Sequence, residues 1–378
     1  MKQSKHGGMI FRALPIMATL LAASASQAQM AKGDCKYFGN IITSSVPSDY
    51  NTYWNQASPE NSGKWSSVQS SVKSTSYNWS GFQTVYDWGK STGNPVKFHV
   101  LVWGGQQPSD AGSATIDDLK KWFAAVHTKY PDLQQIDVVN EAYPSHAPAP
   151  YKGVLSTQAA KDGITGTYDW IFEAFKMARA LWTDPAKTKL IYNDYNTIEY
   201  DAEYQWVVNL AKAAKAQNIP IDGIGCQAHD AYKVSTASVK TKLDGIAAVG
   251  FPLYITEYDI GETDDTKQKN IMQEQVTMYW NHPSIKGVTY WGIKAGQTWR
   301  TGTGVETSSG AERPSLTWLK SYLPANKGVC GSDAIQVPVA TLAPATAPGM
   351  VMRSVNGRLV MGVERNGRFT AMSALGRD

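Results

Sequence analysis

The chain of 378 residues is long enough for one large domain or two small ones. Its composition, 42% hydrophobic and 18% charged, excludes a mainly disordered or fibrous protein. A formal net charge of +4 without a basic patch gives no indication of nucleic-acid binding. The aromatic content is high, with 13 Trp and 19 Tyr. Such rings suit stacking on flat, hydroxylated ligands, although core packing absorbs most aromatic residues in any protein.

Residues 1–28 have the composition of a secretory signal peptide. Lys2, Lys5 and Arg12 precede an apolar run over 13–25, and a small-x-small cleavage site follows at 26–28. The run is too short to span a bilayer, and no later segment reaches about 18 apolar residues. We therefore expect a secreted protein, extracellular or at the cell surface, without a membrane span. The alternative is an uncleaved membrane anchor.

From residue 29 to 330, short apolar runs alternate with amphipathic stretches. The runs predict seven strands and a weaker eighth, at 38–43, 96–103, 136–141, 189–196, 222–229, 253–259, 288–292 and, less clearly, 56–65. Helical spacing of apolar residues predicts helices at 115–129, 168–182, 202–216, 236–249, 267–280 and 315–322. This alternation predicts an α/β fold, a (β/α)8 TIM barrel. A doubly wound open sheet is the alternative, but no glycine-rich phosphate loop follows any strand.

Two glutamates directly follow apolar strands, where the active site of a barrel lies. They are Glu141 in VVNEA and Glu257 in YITEYD. Hydrolysis of a glycosidic bond needs one carboxylic acid to protonate the leaving oxygen and one carboxylate to meet the oxocarbenium-like carbon. The alternative for a single glutamate is a solvated residue at the rim. Because phosphate-binding glycines and a metal-binding His pair are missing, we expect no cofactor and no metal site.

Seven motifs occur in an order that resembles glycoside hydrolase family 10. They are SPENSGKW (58–65), HVLVW (99–103) with QQP (106–108), DVVNE (137–141), NDYN (193–196), DGIGCQAH (222–229), ITEYDI (255–260) and TYWGIKAGQTW (289–299). The resemblance covers roughly 39–323, and members of this family are mostly endo-1,4-β-xylanases. It implies an endo-acting β-1,4-xylanase that hydrolyses xylan and xylo-oligosaccharides with retention of configuration. The alternatives are an endo-β-1,4-glucanase of the same fold and a non-catalytic carbohydrate-binding barrel.

The resemblance assigns a role to each matching residue. Glu141 corresponds to the acid/base and Glu257 to the nucleophile, with His229 and Asp259 as a hydrogen-bonded network behind the nucleophile. Substrate-binding residues are implied at Glu60, Asn61, Lys64, His99, Trp103, Gln106, Asn140, Gln227, Trp291 and Trp299. The chemistry separately requires that the acid keep its proton near neutral pH while the nucleophile is ionised.

The sequence departs from the family pattern at three places. Gly104-Gly105 stand after Trp103, where the family usually has a second His, so we expect either space or another side chain reaching in. Ala295 replaces an Asp of the closing motif. The segment 143–153, which follows Glu141, lacks the usual acidic and Arg-bearing loop. Its His146 is expected in a solvated loop; the alternative is a side chain that reaches the cleft.

Three cysteines leave one unpaired in an oxidising compartment. Cys35 and Cys330 lie at the two ends of the body, whereas Cys226 lies inside an apolar, strand-like run. We therefore expect a Cys35–Cys330 disulfide. The alternative is three reduced thiols.

The composition changes after residue 330. Residues 331–349 form an Ala/Pro/Thr linker, and 350–378 form a small basic module with two Asn-Gly pairs, at 356–357 and 366–367, that suit hairpins. The module loosely resembles C-terminal modules with which some bacterial fibre-degrading enzymes are secreted or attached to surfaces. A partner in a surface or secretion apparatus is therefore expected; a tail without a role is the alternative.

Overall fold

The computed structural model describes residues 29–331 and the backbone of 350–355, 358–365 and 368–371. The expected signal peptide (1–28), nearly all of the linker and both Asn-Gly pairs lie outside the described residues. The domain boundaries at these positions stay predictions.

Eight parallel strands form one barrel. They are β1 (Tyr37–Ile42), β2 (Ala57–Pro59), β3 (Lys97–Val102), β4 (Gln135–Asn140), β5 (Lys189–Asp194), β6 (Gly223–Cys226), β7 (Leu253–Tyr258) and β8 (Ile285–Tyr290). The hydrogen-bonded order is β2-β1-β8-β7-β6-β5-β4-β3, and a parallel bridge between Ala57 and Val96 brings the two edges together. The TIM barrel is confirmed, and the open doubly wound sheet is wrong. The weak eighth strand is present but short.

Helices connect successive strands on the outside of the barrel. The helices of the described residues are α1 (Tyr50–Tyr53), α2 (Trp65–Val68), α3 (Ser80–Thr92), α4 (Ile116–Lys129), α5 (Lys152–Lys161), α6 (Asp169–Leu181), α7 (Asp201–Ala216), α8 (Thr236–Ala247), α9 (Asp265–Asn281) and α10 (Pro314–Ala325). All six predicted helices are present. Helix α4 shows why the sequence signal was clear: Thr115 and Asp118 form a capping box at its start.

Two longer helices were not predicted, for different reasons. Helix α3 buries Phe82, Val85 and Trp88 at helical spacing, but no side chain caps its N-terminus. Helix α5 buries only Leu155 and Ala159, which is too little for an apolar stripe to stand out.

A disulfide joins Cys35, just before β1, to Cys330, just after α10, with a Cα–Cα distance of 6.2 Å. It therefore links the two ends of the barrel. Cys226 is a buried free thiol at the end of β6.

Within the described part of the chain, no helix combines the length and the apolar character needed to cross a membrane.

A small antiparallel sheet follows the barrel in the sequence. Strand β10 (Arg358–Arg365) lies between β9 (Met350–Val355) and β11 (Arg368–Ala371). Both pairings are antiparallel and join strands that are neighbours in the sequence.

Candidate active site

A cleft of about 550 Å³ collects the predicted polar side chains where the barrel strands end. Twelve of the predicted site residues line it, namely Glu60, Asn61, Lys64, His99, Trp103, Gln106, Glu141, Gln227, His229, Glu257, Trp291 and Trp299. Asn140 and Asp259 lie directly behind this wall, because Asn140 is bonded to Gln227 and Asp259 to His229.

Glu141 follows β4 with a left-handed backbone conformation, φ +55°. Its Oε2 accepts a hydrogen bond from Trp103 Nε1 at 2.8 Å, and its Oε1 accepts one from Gln227 Nε2 at 3.1 Å. Burial raises the pKa of Glu141 above its usual value, and the negative charge of Glu257 raises it further. The hydrogen bonds to the carboxylate oppose these effects without cancelling them. Glu141 therefore holds its proton more firmly than an ordinary glutamate.

Glu257 lies in β7 and is almost fully buried, with 5% of its surface exposed. Its Oε1 accepts a hydrogen bond from Asn193 Nδ2 at 2.8 Å, and its Oε2 lies 3.3 Å from His229 Nε2. Burial alone would raise the pKa of Glu257. The hydrogen bond from His229 and the nearby positive charges outweigh burial and lower the pKa to about 2. The carboxylate of Glu257 is therefore ionised at any physiological pH.

The imidazole of His229 is held between two carboxylates. Its Nδ1 lies 3.0 Å from Asp259 Oδ2, which also accepts a hydrogen bond from Trp299 Nε1 at 2.7 Å. Burial alone would lower the pKa of His229, but Asp259 and Glu257 raise it to about 10. His229 is then an imidazolium with a proton on each ring nitrogen, and it donates to Glu257 from the side opposite to Asp259.

The two glutamates are connected by a chain of amides. Asn140 Oδ1 accepts hydrogen bonds from Gln227 Nε2 at 3.1 Å and from Asn193 Nδ2 at 2.9 Å. The same two amides donate to Glu141 and Glu257, respectively. Asn140 Nδ2 is buried and finds no acceptor among the described residues. One amide oxygen thus orients the two donors that bind the two glutamates.

A second polar cluster forms one end of the cleft. Lys64 Nζ donates to Asn61 Oδ1 at 2.9 Å and to Gln106 Oε1 at 2.5 Å, and it lies 5.2 Å from the centre of the Trp103 ring. Burial lowers the pKa of Lys64, whereas the charge of Glu257 opposes that shift. The cluster presents amide and ammonium donors beside an indole, which suits a hydroxylated ring.

A buried ion pair that the sequence did not reveal supports His99. Asp137 Oδ2 lies 2.9 Å from both Lys97 Nζ and His99 Nδ1, and Lys97 and Asp137 are fully buried. The charges of His99 and Lys97 contribute to lowering the pKa of Glu257. A lysine within the apolar run VKFHVLVW was the available signal, since a lysine is rarely buried without a partner.

The structure corrects the expectation for Gly104. The place of the missing His ring is taken neither by open space nor by another side chain. The backbone of the segment 143–153 occupies it. Gly104 N donates to Ala147 O at 2.8 Å, and a Cβ at Gly104 would lie 2.6 Å from Pro148 O.

His146, in the same loop, was expected to be solvated, but its side chain is only 3% exposed. That expectation was wrong, because the imidazole packs against the end of β5.

Four further residues line the cleft and were not predicted as site residues: Tyr195, Asn196, Asp230 and Arg300. Each directly adjoins a motif that was recognised or lies within one. Arg300 Nη1 donates to His229 O at 2.7 Å and to Asp230 Oδ1 at 3.1 Å. Its guanidinium also lies 4.5 Å from the ring centre of Trp299. Their position within or directly after these motifs was the signal that could have found them.

The sequence also matches known proteins over this barrel. Residues 25–321 match the profile of glycosyl hydrolase family 10. This chain belongs to that family. It is 40% identical to endo-1,4-beta-xylanase B of Cellvibrio japonicus over 296 residues, which cover 76% of this chain and 46% of that relative. The chain thus spans about half the length of this relative. Endo-1,4-beta-xylanase A of Fusarium oxysporum is 28% identical over 314 residues, 75% of this chain and 91% of the relative.

Solved structures of the family share the fold. The structure of xylanase 10B from Thermotoga petrophila in complex with xylobiose has a TM-score of 0.65 and 22% identity, covering 78% of this chain and 95% of that one. At this level of identity the likeness concerns the fold alone.

Proposed function

We propose that this family 10 member is an endo-acting β-1,4-xylanase that cleaves xylan with retention of anomeric configuration. The observation that carries the proposal is the pair of linked glutamates with opposite pKa shifts, raised for Glu141 and lowered for Glu257. A retaining glycosidase needs an acid that is protonated and a nucleophile that is ionised.

In the first step, the Glu257 carboxylate attacks the anomeric carbon while Glu141 gives its proton to the departing glycosidic oxygen. The C–O bond to the leaving sugar breaks, and an ester bond to Glu257 forms. In the second step, the Glu141 carboxylate takes a proton from water, and the water oxygen displaces Glu257 from the same carbon. Two inversions give net retention, and both carboxyl groups return to their starting states.

Two indoles support xylan as the substrate. Trp291 lies in the floor of the cleft, with its ring 5.7 Å from that of His99, and Trp299 is 52% exposed at the rim. By resemblance to the family, both are expected around the sugar that is cleaved. Xylose lacks the exocyclic hydroxymethyl group of glucose, and an indole over the ring would crowd that group. The relatives named above are endo-1,4-β-xylanases.

The test compares reducing-sugar release and viscosity loss on xylan and on carboxymethyl cellulose. We expect activity on xylan, with viscosity falling early because cleavage is internal, and little on cellulose. Glu257→Gln should abolish the release, because no nucleophile remains. Preferential activity on carboxymethyl cellulose would make the chain an endoglucanase, and inactivity on both would leave a carbohydrate-binding barrel.

We also propose that the protein is secreted. The basic and apolar pattern of residues 1–28 supports this, as does the disulfide between Cys35 and Cys330, a bond that persists in oxidising compartments. N-terminal sequencing of the protein from the culture medium should start at Gln29. Retention of all the protein in the cytosol would contradict the proposal.

A further inference from the structure

The loop that replaces the family's usual one carries a buried imidazole beside the cleft. His146 Nδ1 lies 2.7 Å from Asp194 Oδ1, and its Nε2 lies 3.7 Å from Glu203 Oε1. The imidazole also stacks on the ring of Tyr195, with the two centres 3.5 Å apart and the planes 14° from parallel. Tyr195 itself lines the cleft. The imidazole therefore packs against a ring that faces the cleft.

Asp194, at the end of β5, anchors this loop to the barrel by hydrogen bonds. Its Oδ2 accepts hydrogen bonds from Tyr143 N at 3.1 Å and from Tyr192 Oη at 2.7 Å, and its Oδ1 accepts one from Tyr195 N at 3.0 Å. His146 adds the fourth partner. One carboxylate thus sets the position of both the loop and Tyr195, and His146 is the loop side chain that binds it.

The loop is also connected to the proposed acid. Ala147 N donates to Glu141 O at 3.1 Å, and Ala147 O accepts from Gly104 N at 2.8 Å. Burial, and then the charge of Glu141, raises the pKa of Tyr195 to about 12. Tyr195 directly follows β5, the strand that pairs with β4, and Glu141 directly follows β4, so Tyr195 lies on the Glu141 side of the cleft. In the proposed mechanism this is the side of the leaving sugar.

We propose that His146 is a positioning residue that holds Tyr195 as a rigid wall for the leaving-group sugar. The inference rests on the proposed function, since it assumes that Glu141 protonates the leaving oxygen. Because His146 stacks on one face of the Tyr195 ring, the ring keeps one orientation before substrate binds. No conformational entropy then has to be lost to order this ring during the reaction. The contribution of His146 should therefore appear only with substrates that place a sugar at this wall.

The experiment compares two substrates that share the glycone but differ in the leaving group. Xylohexaose places xylose units against Tyr195, whereas β-xylobiosyl fluoride releases only fluoride and needs no leaving-group sugar. We expect His146→Ala to lower kcat/KM on xylohexaose about tenfold and to leave kcat/KM on the fluoride within about twofold. His146→Gln, which can still donate to Asp194 but cannot stack, should show a smaller loss with the same selectivity.

Two controls separate this role from loss of structure. His282 is another buried imidazole bonded to an aspartate, Asp244 at 3.1 Å, but it lies before β8 at the opposite end of the barrel. His282→Ala should not change the ratio of the two substrates. In a Tyr195→Ala background, His146→Ala should have no further effect on xylohexaose, because the ring through which it acts is gone.

Several results would overturn the proposal. They are an equal loss on both substrates, an unchanged kcat/KM on xylohexaose, or a full His146→Ala effect in the Tyr195→Ala background. A wild-type protein that hydrolyses neither substrate would refute the proposed function itself, and the wild-type measurement alone distinguishes that failure.

Discussion

The substitution Gly104→Ala should displace Glu141, the proposed acid, through the loop that contains Ala147. In Gly104→Ala, the new Cβ would overlap the backbone oxygens of Ala147 and Pro148. Backbone cannot rotate away as a flexible side chain can, so the loop must move. Because Ala147 N is bonded to Glu141 O, movement of the loop pulls on the residue that carries the proton.

The expected magnitude follows from overpacking. Extra atoms in a well-packed site cost about 1–3 kcal/mol of unfolding free energy. A displacement of Glu141 on the order of 1 Å would lower kcat/KM on xylan by about a hundredfold, and a partial displacement by about tenfold. A histidine at this position meets the same carbonyls through its own Cβ. We therefore expect Gly104→His to lower activity, not to restore a missing contact.

Gly153→Ala is the matched control, since a Cβ there meets nothing within 4 Å and the residue lies in α5. Because Gly153 is the second residue of α5, replacing it by alanine should raise the unfolding free energy by at most about 0.5–1 kcal/mol, the difference between glycine and alanine in a helix interior. Urea denaturation gives the stabilities, and initial rates on xylan give kcat/KM. If Gly104→Ala matched Gly153→Ala in both measurements, the close contact between Gly104 and the loop would be refuted.

Three further predictions concern the carboxyl groups and the disulfide. Glu141→Ala should lose xylan hydrolysis but keep a fast first step on aryl xylobiosides with good leaving groups. Added azide should restore turnover and give a β-glycosyl azide as the product. Loss of activity on all substrates without rescue by azide would show that Glu141 is not the acid/base. In wild type, kcat/KM should fall as pH rises through the raised pKa of Glu141, since the protonated acid is lost. It should show no loss on the acid side near the ordinary glutamate value of about 4.3, because the pKa of Glu257 is lowered to about 2; an acid limb there would contradict the network around Glu257. Non-reducing mass mapping should join the peptides of Cys35 and Cys330, a link over 295 residues that the chain-entropy model values at about 5–6 kcal/mol, and three alkylatable thiols would end this prediction.

The barrel and the position of both glutamates could be predicted because each depends on local sequence. An apolar run followed directly by Glu141 or Glu257 indicates a buried strand with a carboxyl group at its end, and the repeated alternation of such runs with amphipathic stretches predicts the barrel. The motifs around these strands then identify the neighbouring amides and rings.

The packing of the loop onto Gly104 could not be predicted in the same way. The contact joins residues more than forty positions apart, and a glycine carries no sign of what lies against it. The prediction that His146 is solvated was wrong for the same reason. A Pro-rich segment favours a solvated loop, whereas the hydrogen bond to Asp194 and the stack on Tyr195 exist only in the folded barrel. Long-range partners, not local pattern, decide such positions.

The most direct test is to trap the covalent intermediate on Glu257. A 2-deoxy-2-fluoro xylobioside with a dinitrophenyl leaving group forms this ester but hydrolyses it slowly, because the fluorine destabilises the oxocarbenium-like transition state of both steps while the leaving group keeps the first step fast. Peptide mapping of the inactivated enzyme should find one fluoroxylobiosyl group, attached to the peptide that contains Glu257, and none in Glu257→Gln. A label on any other residue, or release of α-anomers by the untreated enzyme in early proton NMR spectra, would contradict a retaining mechanism with Glu257 as the nucleophile.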